Sequence, residues 1–359
     1  ALQIICAVIF LVAYTVYAAS SVKACGTLFN TVTGMDETAA MYLASIIIIG
    51  YTFLGGFSAV CWTDFFQGML MLGALLIAPI FALFMLQGMG VHAVDTPDYF
   101  NAFSSWKDIV SGLGWGLGYF GMPHIIIRFM SLESQKSLKK SAKIGITWTV
   151  LIVIFAAAVG IIGRLFLGYD EAINGHSLVF ITMVRKIFPG VISGLLLSAV
   201  LAASMSTADS QLLAASSSVS QNLLQEAFRF KLSQKQSMLA ARLTVNAIAI
   251  LGIFIAKDPN SSIFGIVSFA WAGFGAGFGP LVICALYWKR TTFAGAVSGM
   301  AAGGVMVFLW KYLIKPLGGI FGIYELLPAF LVSLAVCVVV SLVTPAPTED
   351  ILAEFDAAK

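Results

Sequence analysis

Residues 198–221, SAVLAASMSTADSQLLAASSSVSQ, place many small polar groups inside a long apolar stretch. Eight hydroxyl side chains and one carboxylate, that of Asp209, lie between Ser204 and Ser220. On a helix that turns about 100° per residue, six of the small and hydroxyl-bearing residues fall on one face. They are Ala203, Ser206, Thr207, Ser210, Ala214 and Ser217. The pattern predicts a helix whose polar stripe faces other protein segments.

The composition of the whole chain indicates an all-α integral membrane protein. Of its 359 residues, 60% are apolar or aromatic and only 10% are charged, whereas soluble domains carry about 25% charged residues. Ten apolar segments approach the ~20 residues that a helix needs to cross a bilayer. They are 2–22, 39–60, 63–86, 109–131, 143–168, 191–222, 239–256, 262–287, 292–314 and 322–343. Because backbone groups in lipid must be satisfied within the segment, all ten are predicted to be helices.

The basic residues predict how these helices are oriented, since cytoplasmic loops are rich in Lys and Arg. Three connections that fall on one side of an alternating bundle hold most of them. The residues are Arg128, Lys136, Lys139, Lys140 and Lys143; Arg229, Lys231, Lys235 and Arg242; and Lys289 and Arg290. That side is predicted to be cytoplasmic, together with the polar tail 344–359, which we expect to be disordered.

Two acidic residues lie in or beside apolar segments and need a partner. An ionised carboxylate in the bilayer costs at least ~2.5 kcal/mol, so Asp209 must face a cavity, a partner or an ion. Asp64, in VCWTDFFQG (60–68), has two interpretations. It either caps a helix N-terminus at a tight turn, or it binds or gates a cation.

Glycine and aromatic residues alternate in GLGWGLGYFGMP (112–123), and glycine is dense again in GFGAGFGP (273–280). Small residues allow membrane helices to approach closely, whereas glycine together with proline also loosens a helix and frees backbone carbonyls to bind a ligand. The second cluster favours the packing interpretation. Tyr17, Trp115 and Tyr119 lie within predicted helices. They form either aromatic packing or a lining for a small, partly apolar, cationic solute, which rings attract by dispersion and cation–π interactions.

Four stretches resemble the sodium:solute symporter family, and the resemblance extends over essentially the whole chain. They are AVCWTD (59–64), GWGLGYFGMPHIIIRFM (114–130), LLLSAVLAASMSTADSQLLAASSSV (195–219) and VSFAWAGFGAGFGPLV (267–282). The proline branch is more similar than the pantothenate or sialic acid branches. The resemblance implies a LeuT-type inverted-repeat fold, with the ten segments as core helices 3 to 10 plus two C-terminal helices. It also implies about three helices before residue 1, with 1–343 as one transporter domain.

The resemblance further implies roles for individual residues. The Ala203 carbonyl and the hydroxyls of Ser206 and Thr207 match the family's sodium ligands, and the other half of that site belongs to a helix that precedes this chain. Substrate-pocket positions match Tyr17, Trp115, Tyr119 and Pro123. Some relatives bind a second sodium with the acid that matches Asp64. A second cation site or a gate is therefore expected at Asp64, Asp209 and Ser210, although Asp209 stands where those relatives have serine.

These features predict a secondary transporter that couples inward sodium flow to uptake of L-proline in the bacterial cytoplasmic membrane. No enzymatic activity is expected, because Ser206 has no nearby His or Lys to activate it. Sodium, the solute and the lipid bilayer are the expected partners. No cofactor, nucleic acid or obligate protein partner is expected. Another solute, such as a betaine, pantothenate or another carboxylate, is the main alternative, and a transporter-like membrane sensor is a further one.

Overall fold

The computed structural model describes residues 2–88, 101, 103, 105–168, 176–258 and 261–357. Within these ranges the chain is helical, is connected by loops and contains no strand. The helices in chain order are α1 (Leu2–Thr33), α2 (Glu37–Gly88), α3 (Trp106–Gly116), α4 (Pro123–Met130), α5 (Gln135–Leu167) and α6 (Val179–Ile187). They continue with α7 (Gly190–Ser217), α8 (Gln234–Ala256), α9 (Ile263–Tyr287), α10 (Phe293–Leu309), α11 (Leu326–Val343) and α12 (Glu349–Ala357).

Eight of the described helical stretches are long and apolar enough to cross a membrane. They correspond to eight of the ten predicted segments and confirm an all-α protein that crosses the membrane repeatedly. Two predicted segments have a different form. Segment 39–60 continues into segment 63–86 within α2, and segment 109–131 is broken near its middle.

Helix α2 contains 52 residues and would measure about 78 Å if it were straight. The contacts show that it is bent. Ile48 lines a small cavity with Ala208 of α7, and the Asp64 carboxylate lies 3.2 Å from the Ser210 hydroxyl. A straight helix would separate Ile48 from Asp64 by about 24 Å, yet both reach the same part of α7. Gly55 and Gly56 lie between them, and glycine pairs are a common cause of sharp helix kinks.

The segment predicted as one helix over 109–131 is two helices with a break. Helix α3 ends at Gly116, a 3₁₀ turn spans Leu117–Gly121, Met122 is extended, and α4 begins at Pro123. The prediction of a single helix is therefore wrong. Glycine weakens a helix by about 1 kcal/mol per residue. Proline lacks the N–H donor and disfavours helical geometry in the residue before it.

Close backbone contacts hold the broken segment against α9. A Cβ on Gly121 would lie 2.5 Å from the Phe274 carbonyl oxygen, and a Cβ on Gly118 would overlap the indole of Trp271. Gly275 of α9 faces Gly118 in turn, where its own Cβ would lie 2.8 Å from the Gly118 Cα. These contacts confirm close packing at Gly275, and Gly279 is equally close to the Phe330 ring, whereas Gly273 and Gly277 have ordinary space for a Cβ. The large core cluster of the bundle surrounds them and includes Tyr14 and Trp271.

The tail is more ordered than its composition predicts. Glu349–Ala357 form helix α12, so the expectation of a disordered tail is wrong for these residues. The Lys289 ammonium lies 2.5 Å from the Asp356 carboxylate, and both side chains are about half exposed. The ion pair shows that α12 lies near the α9–α10 connection. Because an exposed ion pair of this kind contributes little to stability, it holds α12 there only weakly.

Candidate functional site

Two hydroxyls of the polar stripe on α7 converge on one carbonyl oxygen. Thr207 Oγ1 donates to the Ala203 carbonyl oxygen at 2.8 Å, and Ser206 Oγ donates to the same atom at 3.1 Å. All three residues are partly buried. Serine and threonine commonly bond to carbonyls three or four residues back in a helix. Because hydroxyl protons rotate freely, the two hydroxyl oxygens can turn a lone pair towards a small cation beside the Ala203 carbonyl oxygen.

One turn further along α7, Ser210 belongs to a polar contact that joins three helices. The Arg128 guanidinium of α4 forms an ion pair with the Asp64 carboxylate of α2. The same nitrogen, Nη2, donates to the Ser210 hydroxyl at 2.7 Å, and that hydroxyl donates to the Asp64 carboxylate at 3.2 Å. Asp64 lies inside α2 rather than at a helix N-terminus, so the capping interpretation is wrong.

Asp209 lies on a different face of α7 from Ser210. Its side chain is fully buried, and it lies about 60° beyond the edge of the polar stripe on the helical wheel. Asp64 and Ser210 are therefore in contact with each other, while Asp209 faces a different side of α7. Gln211 is also buried on α7, and neither of its amide atoms has a hydrogen-bond partner among the described residues. Such buried polar groups are rare in proteins.

A cavity of about 490 Å³ lies beside the Arg128 contact. Its walls come from α2, α4, α7, the residues that follow α7, and α8. The lining includes three positions of the predicted stripe, Ser210, Ala214 and Ser217, together with His124 and Arg128. The C-terminal half of the stripe therefore faces an open pocket, at which Ser217 itself is exposed.

Trp115 lies at the centre of an aromatic stack. Its ring is stacked on Trp271, with ring centroids 5.6 Å apart, and on Tyr324 at 5.5 Å. The Trp271 indole N–H donates to the Trp115 carbonyl oxygen at 3.0 Å. Tyr119 meets the same Trp271 ring edge-on at 4.9 Å. Two of the four predicted substrate-binding residues are therefore brought together by a tryptophan on α9.

The other two predicted substrate-binding residues lie around His124. Pro123 is buried at the first position of α4, directly before His124. Tyr17 of α1 meets the His124 ring edge-on, with ring centroids 6.4 Å apart. Tyr17 and Trp115 both pack against the largest described core cluster, whereas the Tyr119 side chain is 46% exposed.

The structure adds four residues that the sequence does not single out as site residues: Arg128, His124, Trp271 and Tyr324. Arg128 and His124 could have been suspected, because they are polar residues within the quoted motif 114–130. Trp271 and Tyr324 lie 156 and 209 residues from Trp115 in the chain, and no local pattern links them to it.

These features together define a class of protein. Repeated membrane crossings, a helix broken at its midpoint beside an aromatic interior, and an oxygen-lined face on a second helix are typical of secondary transporters. A profile of the sodium:solute symporter family matches residues 1–303. The chain belongs to the sodium:solute symporter family.

Individual relatives agree with this assignment. The sodium/proline symporter of Staphylococcus aureus is 44% identical over 358 residues, which cover 96% of this chain and 70% of the relative. The corresponding protein of strain Newman matches to the same extent. Among solved structures, the outward-open, substrate-bound state of a Na⁺-coupled sialic acid symporter superimposes with a TM-score of 0.75 at 19% identity, covering 96% of this chain and 75% of that one. The superposition confirms the LeuT-type fold.

Proposed function

We propose that the protein couples the inward flow of sodium to the uptake of L-proline. The observation that carries this proposal is the 44% identity to sodium/proline symporters over nearly the whole chain. The polar stripe of α7 and the aromatic interior support it, because they supply the two kinds of site that such a transporter needs. Sodium is the coupling ion and is transported with the solute.

The sodium half-site that we propose consists of the Ala203 carbonyl and the Ser206 and Thr207 hydroxyls. These hard, neutral oxygens suit a monovalent cation that has lost its water. Sodium bound there would link α7 to the neighbouring helices, and the solute pocket would then be complete. Coupling requires that sodium bind the solute-competent state more tightly than the other states. A membrane potential contributes about 2.3 kcal/mol per charge for each 100 mV.

The solute pocket that we propose is formed by Tyr17, Trp115, Tyr119 and Pro123. Proline has an apolar ring and a secondary ammonium. Aromatic rings attract the first through dispersion and the second through their negative faces. The protein would lie in the bacterial cytoplasmic membrane, with residues 344–359 on the cytoplasmic side. For Asp64 and Ser210, the ion pair with Arg128 favours the role of a gate between α2, α4 and α7.

Uptake of labelled proline into proteoliposomes that contain the full-length protein tests this function. We expect uptake that requires external sodium and is reduced by excess unlabelled proline. Betaine and pantothenate should compete poorly. Stronger competition by either of these than by proline would assign the protein to that solute, and uptake that is unchanged in the absence of sodium would exclude sodium coupling.

A further inference from the structure

Tyr324, just before α11, joins two parts of the site that are far apart in sequence. Its ring stacks on Trp115 with centroids 5.5 Å apart and an interplanar angle of 21°. Its hydroxyl donates to the Ser268 carbonyl oxygen of α9 at 2.5 Å, and its backbone N–H donates to the Ser111 hydroxyl of α3 at 3.0 Å. One residue therefore holds α3 against α9 and covers one face of the Trp115 ring.

The residue after Tyr324 is a glutamate, Glu325, whose side chain is buried. Glu325 is only 1% exposed, and a buried carboxylate is strongly unfavourable unless it is paired. The Lys315 ammonium lies 2.9 Å from one carboxylate oxygen, and the Lys311 ammonium lies 3.9 Å from the other. Both lysines come from the segment that follows α10. Their ion pairs with Glu325 therefore close residues 311–325 into a loop.

The same loop is attached to α9 by a second contact. The Lys311 ammonium lies 4.1 Å from the centre of the Phe269 ring, and Phe269 adjoins Ser268, which accepts the Tyr324 hydroxyl. Within the loop, Trp310 Nε1 donates to the Ile323 carbonyl oxygen at 3.3 Å. Gly318 and Gly319 have φ values of 72° and 58°, which favour glycine, and they let the chain reverse between the lysines and Glu325.

From this geometry we propose that Tyr324 is a positioning residue for the solute pocket, and that the Glu325–Lys315 pair fixes the position of Tyr324. The proposal rests on the proposed function, because it gives Tyr324 its role through Trp115. Together with Phe264 and Trp271, which also stack on Trp115, the Tyr324 ring holds the Trp115 side chain in one orientation. The buried ion pair keeps the loop in place, so that α3 and α9 remain together while the pocket is filled.

Sodium-driven proline uptake by the full-length protein in proteoliposomes tests this role through the KM for proline, with sodium half-saturation measured in parallel. Tyr324→Leu removes the ring stack and should raise the KM about five- to tenfold, while the sodium concentration for half-maximal uptake stays unchanged. Tyr324→Phe keeps the stack and should raise the KM less. Lys315→Met should act like Tyr324→Leu, and Lys315→Arg should restore the wild-type KM.

Leu317→Ala is the matched control, because Leu317 lies in the same connection and is 71% exposed. Its KM should match the wild type. If Tyr324→Leu and Lys315→Met keep the wild-type KM and lower only the maximal rate, the loop has only a structural role. That result would overturn the proposal. If Tyr324→Leu does not fold, the KM values of Tyr324→Phe and Lys315→Met test the proposal without it. Absence of sodium-driven uptake in the wild type would instead contradict the proposed function, and this inference would fall with it.

Discussion

The guanidinium of Arg128 binds the carboxylate of Asp64, although the two residues are 64 positions apart and lie on different helices. The pair is asymmetric, since the Arg128 side chain is 45% exposed and the Asp64 side chain only 11%. Loss of the contact would therefore leave the mostly buried Asp64 carboxylate unpaired, whereas water can still solvate the Arg128 guanidinium. Ser210 adds α7 to the pair, so one guanidinium connects α2, α4 and the helix that carries the proposed sodium ligands.

This asymmetry predicts non-additive effects on stability. Arg128→Gln leaves Asp64 charged and mostly buried, and it should lower the free energy of unfolding by about 1–3 kcal/mol, less than for a fully buried pair because Arg128 is half exposed. Asp64→Asn added to Arg128→Gln should recover most of this loss. A double-mutant cycle on thermal unfolding of the purified protein measures the coupling. Additive losses would show that the two side chains are not energetically coupled.

The α7 oxygens predict a specific effect on sodium. Thr207→Ala and Ser206→Ala each remove one proposed ligand, and each should raise the sodium concentration for half-maximal uptake about tenfold, a loss of ~1.4 kcal/mol. The KM for proline at saturating sodium should change little. Ser204→Ala is the control, because the Ser204 hydroxyl bonds to the Val200 carbonyl oxygen and lies off the stripe. An unchanged sodium response in both variants would exclude these two hydroxyls as ligands.

The aromatic stack predicts an effect on the solute rather than on sodium. Trp115→Ala removes a ring that stacks on Trp271 and Tyr324, and it should raise the KM for proline at least about tenfold. Trp62→Ala, at a tryptophan that is 65% exposed, should leave the KM unchanged. Proline affinity at the wild-type level in Trp115→Ala would remove this residue from the pocket.

Helix packing predicts a contrast between two neighbouring glycines of α10. A Cβ on Gly299 would lie 2.7 Å from the Cβ of Cys337 and 2.9 Å from the Ser333 carbonyl oxygen, whereas a Cβ on Gly304 would lie 3.6 Å from Ile9. Gly299→Ala should therefore destabilise the protein by about 1–3 kcal/mol, and Gly304→Ala should be nearly neutral. Thermal unfolding in detergent compares the two. Equal melting temperatures would mean that α11 can move away from α10 at little energetic expense.

The helical architecture could be predicted because the length and apolar composition of each segment indicate by themselves that the segment lies in a bilayer. A run of about 20 apolar residues has few alternatives in a bilayer. The limits of this reasoning are visible in α2, where two predicted helices are continuous in the backbone and separated only by a bend. They are also visible in α12, whose acidic sequence indicates solvent exposure but does not exclude a helix.

The site could be predicted only in part, for a similar reason. The α7 stripe is a local pattern, so Ser206, Thr207 and Ser210 fall on one face whatever surrounds them. The partners of Trp115 and Asp64 come from distant segments, and their side chains carry no local sign of the contact. Trp271 and Tyr324 look like ordinary apolar residues in the sequence, and Arg128 looks like one more basic residue at the end of a helix.

The most direct test of sodium-coupled proline transport is proline accumulation in proteoliposomes under an imposed inward sodium gradient. We predict that internal proline rises above the external concentration while the gradient lasts, and that it returns to equilibrium when an ionophore dissipates the gradient. Accumulation of the same size with potassium in place of sodium, or equilibration without accumulation under the sodium gradient, would contradict the account.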